Sequence, residues 1–425
     1  MSFQTRMLSA HACSSAALMV AFLAGCGPHH EGGGSGGEAG VSAGAGGAST
    51  GGDAGTSGSA VGGSTAGSGT AGSGGVSGPG MEPVIGCPAA EWPAEGLSYQ
   101  APPYSDSSDP AIIKLNLFSP TGISGDGRVV TGATRDPESD SARPVPASFT
   151  VTSGVTLLPA PEGALSREGF AQRPSCDGSV ILEHERFGDV HRAEGNHAPR
   201  VIHDARLDTL AMDPAGAVVL DGARNDEVPG PRVWTAETGA VYLPELAGTQ
   251  LFHVSPDGSL IGSDLEALFR YDRVSGVRTP IGMAPVYGPS SIAISATGTA
   301  WIETADTHGD SFLIWRPGRQ PKSITCPALC MPVDVSSTGE VALLDISQDP
   351  DNGGSLSTWI WSERTGFVEL VHFLNAFGVG FGADRLLAVG LSDDARAFAG
   401  SSLDITDPNA SFRLFYAVLP AAAYQ

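Results

Sequence analysis

Beyond residue 110 a four-residue pattern returns seven times: Ser124-Gly125-Asp126-Gly127, Ser175-Cys176-Asp177-Gly178, Asp213-Pro214-Ala215-Gly216, Ser255-Pro256-Asp257-Gly258, Ser295-Ala296-Thr297-Gly298, Ser336-Ser337-Thr338-Gly339 and Ser392-Asp393-Asp394-Ala395. Ser or Asp opens every copy, and Gly closes six of the seven. These residues make tight turns, because an opening side-chain oxygen bonds nearby amides and a closing Gly takes a positive φ at no steric cost. Successive openers lie 51, 38, 42, 40, 41 and 56 residues apart, close to the roughly 40–45 residues of a four-stranded propeller blade. A unit that short cannot bury its own apolar faces, so its copies must stack on one another.

The flanks read as strands. Ile123, Pro174, Met212, Val254, Ile294, Val335 and Leu391 stand immediately before the turns, and Thr121, Gln172, Leu210, Phe252, Ile292, Val333 and Val389 two residues earlier. In five of the seven copies both positions are apolar, the period of two of a strand packed on one face. A β-rich run follows each turn, such as Arg128-Val129-Val130-Thr131. A later motif sets an aromatic residue five positions before a Gly: Phe149 and Gly154, Trp234 and Gly239, Tyr271 and Gly276, Trp361 and Gly366, with Trp315 and Gly318 shortened. The fixed place of these aromatics predicts packing between blades rather than a sugar-stacking row. The fold expected is all-β, a β-propeller of seven four-stranded blades; blade 2 is irregular enough that six also fits. The seventh unit is one strand short, and Ile112-Ile113-Lys114-Leu115-Asn116-Leu117 is the segment expected to complete it.

Ser124 to Gly132, Val233-Trp234-Thr235-Ala236-Glu237-Thr238-Gly239 and Ser311-Phe312-Leu313-Ile314-Trp315 together resemble the HAF-type extracellular repeat of bacterial surface proteins. Ser255-Pro256-Asp257-Gly258 is similar to the turn of TolB-like propeller repeats. The resemblance spans roughly residues 110 to 420 and rests on turn and core residues. It therefore implies a fold and brings no ligand with it.

The N-terminal part carries an address. Met1 to Gly25 has one cation, Arg6, ahead of an apolar run, the form of a secretory signal. Leu23-Ala24-Gly25-Cys26 resembles the bacterial lipobox, which implies lipid attachment at Cys26, and Gly27 by the same resemblance favours the outer membrane or cell surface. Acyl chains add roughly 0.8 kcal/mol per buried methylene, so such an anchor holds without a spanning helix. Residues 31 to 80 contain 22 Gly and no aromatic residue, too little apolar surface to offset the entropy of ordering. A coil of that kind spans roughly 40 Å, and His29 and His30 read as solvated within it. The expected organisation is a signal peptide at 1–25, a lipidated Cys with a disordered Gly/Ser-rich tether at 26–85, an N-terminal extension at 86–109 and the propeller at 110–425.

Four further cysteines suit an oxidising compartment. Cys326 and Cys330 flank a loop small enough to close as a disulfide, and Cys87 is then available to Cys176. A four-Cys zinc site is the competing arrangement, but paired-knuckle spacing is missing.

Chemistry is sparse. A formal charge of −23, with 23 basic against 46 acidic residues, repels phosphate backbones, so nucleic acid is not an expected partner. No nucleophile elbow in the repeat region, no zinc-protease helix motif and no phosphate-cradling loop occurs. His184, His191, His197 and His203, with Glu183, Glu185 and Asp204 nearby, could gather a zinc ion, but the histidines lie 7, 6 and 6 residues apart, which fits neither one helix face nor one strand face, so exposed loop histidines are expected there and no metal. Asp349, Asp351 and Asn352 resemble part of a calcium loop without its bidentate Glu, and a solvated turn is expected. His253 and Asp334 fall on inner strands, where an active centre and polar pairing between blades both explain them. The expectation is a monomeric, non-catalytic envelope lipoprotein without cofactor, joined to the membrane through Cys26, that binds a protein or glycan. An extracellular hydrolase or lyase and an outer-membrane scaffold are the alternatives. Three or more charged or imidazole groups converging on the axial channel would favour the enzyme.

Overall fold

A computed structural model describes residues 96–420 apart from 102–108, 138–142, 163–166, 186–187, 206–209, 223–229, 265–266, 284–291, 304–310, 348–355, 383 and 408–410. The signal, Cys26, the tether, Cys87, Asp349, Asp351 and Asn352 lie outside them.

Seven antiparallel sheets of four strands follow one another along the chain. Blade 1 runs from Ser119–Ile123 to Gly154–Leu157, blade 2 from Gly169–Pro174 to Arg200–Ile202 and blade 3 from Leu210–Met212 to Gly239–Tyr242. Blade 4 runs from Gln250–Val254 to Val277–Met283, blade 5 from Ile292–Ile294 to Lys322–Thr325 and blade 6 from Leu329–Val335 to Gly366–Glu369. Blade 7 takes Arg385–Leu391, Ala397–Leu403 and Arg413–Val418 from the end of the chain.

Its fourth strand is Leu97–Gln100, paired antiparallel with the C-terminal strand in the register Leu97↔Val418 to Gln100↔Phe415. The ring thus begins before residue 110, and the expected closing segment does not close it. Pro110–Asn116 is a helix, α1, because Asp109 caps it by accepting from Ala111 N at 2.9 Å and Pro110 occupies its first turn. That cap outweighs the strand-like alternation of Ile113, Leu115 and Leu117. At the seam the ring of Tyr99 lies 5.0 Å from that of Phe149 in blade 1, and Tyr416 of blade 7 donates its hydroxyl to Gly127 O at 2.9 Å.

Seven clusters of buried apolar residues lie among the described residues, and each joins one blade to the next. Trp301 and Phe312 of blade 5 meet Trp361 of blade 6, while Leu182 of blade 2 shares a cluster with Val219 of blade 3. One apolar cluster at each of seven interfaces closes a circle, and burying each large side chain contributes about 1.5–3 kcal/mol. Phe149, Tyr271 and Trp361 are buried and Trp234 and Trp315 half-buried, so the repeated aromatics pack between blades as expected.

The recurrent turn is built as its residues require. Ser124, Ser175 and Ser336 accept from the amides of Val129, Val180 and Val341 at 3.0, 3.0 and 3.2 Å, and Asp213 accepts from Val218 N at 2.7 Å. The closing residue has a positive φ in every copy, Ala395 included. The strand before the turn departs from the regular alternation expected of it. In blades 1, 4, 6 and 7 the register jumps past Thr121, Phe252, Val333 and Val389. These residues sit at β-bulges, which re-aim the inner strand instead of continuing one flat face.

At Gly339 an added Cβ would stand 2.4 Å from Thr299 Cβ of blade 5, at φ +71°. Gly366 has φ +64° and open space around it. Gly339→Ala is expected to cost about 2–4 kcal/mol, from backbone strain and overpacking together, and Gly366→Ala about 1–2 kcal/mol from strain alone. Urea midpoints of the two variants check this, and equal losses would contradict the interblade contact.

Candidate functional site: the axial channel

The inner strand of every blade runs into its turn along the ring axis, and the position two residues before each opener is occupied in order by Gly122, Arg173, Ala211, His253, Ala293, Asp334 and Gly390. Small residues alternate with Arg, His and Asp. Arg173 Nη1 lies 3.3 Å from Asp334 Oδ1, so the ion pair joins blade 2 to blade 6 past blades 1 and 7. Glycine at those two blades leaves the room: a Cβ on Gly122 would stand 3.1 Å from Arg173 Cα, and one on Gly390 would stand 3.0 Å from Asp334 Oδ2.

Asp334 is fully engaged. Its Oδ1 accepts from Val335 N at 2.9 Å and its Oδ2 from Leu391 N at 3.1 Å. Burial pushes its carboxyl above the usual range, against the pull of Arg173 and the two amides. The Asp334 carboxylate in turn holds the Arg173 guanidinium more firmly protonated. Half of the Arg173 side-chain surface remains accessible, and it faces a cavity of about 180 Å³ that also touches His253, Asp213 and Asp393. Asp213 is taken up by its own turn.

His253 differs from both neighbours. Its Nε2 is buried without a hydrogen-bond partner, and burial, followed by the charge of Arg173, pushes the imidazole down to about 3. The folded protein therefore holds it neutral, while the unfolded chain takes a proton below about 6.5. Its contribution is present above pH 6.5 and is lost as pH falls from 6.5 toward 3. His253→Gln is expected to flatten that part of the stability profile. Urea unfolding at pH 7 and pH 4.5 reads the difference, and an identical pH dependence in the two proteins would contradict it.

The mouth of the cavity is a backbone collar. Asp126 N donates to Cys176 O, Cys176 N to Pro214 O, Thr297 N to Ser337 O, Ser337 N to Asp393 O and Asp393 N to Gly125 O, at 2.7–3.1 Å. Five of the seven interfaces are linked this way. Among the described residues the links from blade 3 to 4 and from blade 4 to 5 are missing; there the second turn residue is Pro214 or Pro256, which cannot donate as Cys176, Ser337 and Asp393 do.

Residue types in the sequence point to His253 and Asp334 but not to Arg173. The repeat register identifies it, since Arg173 stands at the same offset from its turn. The expected histidine cluster is divided: His184 and His191 are buried on strands, at 8% and 1% exposure, and only His197 and His203 are exposed. The expectation of four loop histidines is corrected for the first two, because strand pairing carries them into the blade. Cys326 and Cys330 form a disulfide across the connection between blades 5 and 6. Cys176 is also disulfide-bonded, and Cys87, nominated as its partner, lies outside the described residues.

No protein-family model matches the chain, and no curated protein matches it. Among solved structures it is similar to one titled the crystal structure of the mitotic checkpoint complex, at 16% identity and TM-score 0.46, covering 78% of this chain and 97% of that one. It is similar also to selenomethionine-substituted virginiamycin B lyase from Staphylococcus aureus, at 13% identity and TM-score 0.46, covering 72% of this chain and 98% of that one.

Proposed function

We propose that this chain is an exported lipoprotein of the HAF-repeat kind, held in the cell envelope through Cys26, whose propeller binds a carboxylate-bearing protein or glycan in its axial channel. The observation that carries the reading is Arg173, whose side chain keeps half of its surface accessible and lines a cavity to which every blade contributes. A guanidinium offers several donors in a fixed fork, and a carboxylate matches them.

The enzyme reading is favoured by one observation, the convergence of Arg173, His253 and Asp334. The state of the groups argues against it. Both Asp334 oxygens already accept amides, and an imidazole pushed down to about 3 is a weak proton acceptor, far from the value near 7 that suits a general base.

Two experiments test the proposal. Calorimetric titration of the full-length protein in detergent with glucuronate is expected to give saturable binding that Arg173→Gln weakens at least tenfold; unchanged binding in that variant would refute the axial site. Detergent phase partitioning is expected to move the protein to the aqueous phase on Cys26→Ser, and wild-type protein already in that phase would refute the anchor.

A further inference from the structure

Blade 2 holds a second group of polar side chains that the axial site does not use. Its second and third strands, Val180–Glu185 and Val190–Glu194, pair as Ile181↔Ala193 and Glu183↔His191. Alternation places Ile181, Glu183, Glu185, His191 and Ala193 on one face. The Ile181 and Ala193 end of that face packs with Leu158, which follows blade 1, and the other end carries two carboxylates and an imidazole. Glu183 and His191 are each 1% exposed and Glu185 is 8% exposed.

Nine buried side-chain atoms among the described residues lack a hydrogen-bond partner, and four of them are here: both carboxylate oxygens of Glu183, Oε1 of Glu185 and Nε2 of His191. Buried polar atoms are ordinarily paired, so a concentration of unpaired ones calls for a missing partner. His191 shows its kind. Its Nδ1 lies 3.1 Å from Ala198 O; a carbonyl only accepts, so Nδ1 carries the proton. The other ring nitrogen, Nε2, stands 3.0 Å from Glu185 Oε1 outside hydrogen-bond geometry. A ring nitrogen and a carboxylate oxygen that face each other this closely without a hydrogen bond are spaced as two ligands of one cation.

Asp189, on the turn joining the two strands, completes the group. One oxygen of Asp189, one of Glu185 and a ring nitrogen of His191 all lie within 4.8 Å of one another. Asp189 is itself oriented by His203 Nδ1 and by Arg200 Nη1, the latter at 3.3 Å. Both features, a ligand imidazole donating its other N–H to a carbonyl and a ligand carboxylate held by outer donors, are those of metal sites. We infer that Glu185, Asp189 and His191 form a binding site for a divalent transition-metal cation. One nitrogen and two oxygens suit zinc or manganese, whereas calcium takes six to eight oxygens.

The test uses the full chain in detergent, with His29→Ala and His30→Ala removing the tether pair, stripped with chelator and titrated calorimetrically with zinc chloride and manganese chloride. One equivalent of either ion is expected to bind, with a raised melting temperature, and His191→Ala or Asp189→Asn is expected to weaken binding at least 100-fold. His197→Ala is expected to leave it unchanged. If a ligand variant fails to fold, cobalt absorption of the unsubstituted site supplies the readout, with intense visible bands expected from a low-coordinate nitrogen and oxygen set. Absence of stoichiometric binding, loss of binding on His197→Ala alone, or a hexa-aqua cobalt spectrum would overturn the assignment and leave His191 and Glu185 as a proton-sharing pair.

Discussion

Deleting residues 97–100 is expected to destabilise the whole ring rather than one edge of it. Without Leu97–Gln100 the C-terminal strand keeps Ala397–Leu403 on one side but loses its outer partner along the register Leu97↔Val418 to Gln100↔Phe415, and Phe149 loses the ring of Tyr99. An unpaired, apolar strand edge is also a template for aggregation. Tyr99→Ala, which keeps the backbone pairing, is expected to cost about 2–3 kcal/mol, below the range for a fully buried aromatic because Tyr99 is half-buried. Ile113→Ala in α1 serves as the comparison and is expected to cost less than Tyr99→Ala. Urea unfolding with light scattering separates the cases. A deletion variant as stable as the parent would show that Leu97–Gln100 does not close the ring.

The second large effect is expected at the axis. Asp334→Ala removes the acceptor of the Val335 and Leu391 amides and leaves the Arg173 guanidinium without its counter-charge; the stranded buried amides are expected to cost about 2–4 kcal/mol, with little added by Arg173 because half of its side chain is accessible. Arg173→Met is expected to cost less, because half of the Arg173 side chain is already accessible and Asp334 keeps its two amides. Combining Arg173→Met with Asp334→Ala is expected to cost less than the sum of the two, and the double-mutant cycle measures the coupling. Additive losses would mean that the two side chains do not act as a pair.

Much of the architecture was legible because turn chemistry is local. The opening Ser and closing Gly state their own hydrogen bonds and φ angles, so seven copies at blade spacing announced seven hairpins. What joins the ends was harder to read. Leu97-Ser98-Tyr99-Gln100 is too short to carry a pattern, and Ile113, Leu115 and Leu117 alternate like a strand until the Asp109-Pro110 cap is weighed. The bulges at Thr121, Phe252, Val333 and Val389 were hidden for a related reason, since a bulge is a property of two strands and not of one.

The sites divide in the same way. His253 and Asp334 drew notice from their residue types, but the ring that unites them with Arg173 appears only when all seven copies are aligned on their turns. The group in blade 2 was obscured because the spacing of its histidines fits no single strand or helix face, although Glu183 and Glu185 stand close to His184 in the sequence. Its residues are one His and two carboxylates, brought together by strand pairing and the turn at Asp189, and no spacing rule for four histidines describes them.

The most direct test of the axial site is diffraction from crystals of the protein grown with glucuronate. Sugar density is expected inside the channel, with its carboxylate against the Arg173 guanidinium. Density for the ligand on the outer loops, with the channel holding water alone, would contradict binding at the axis.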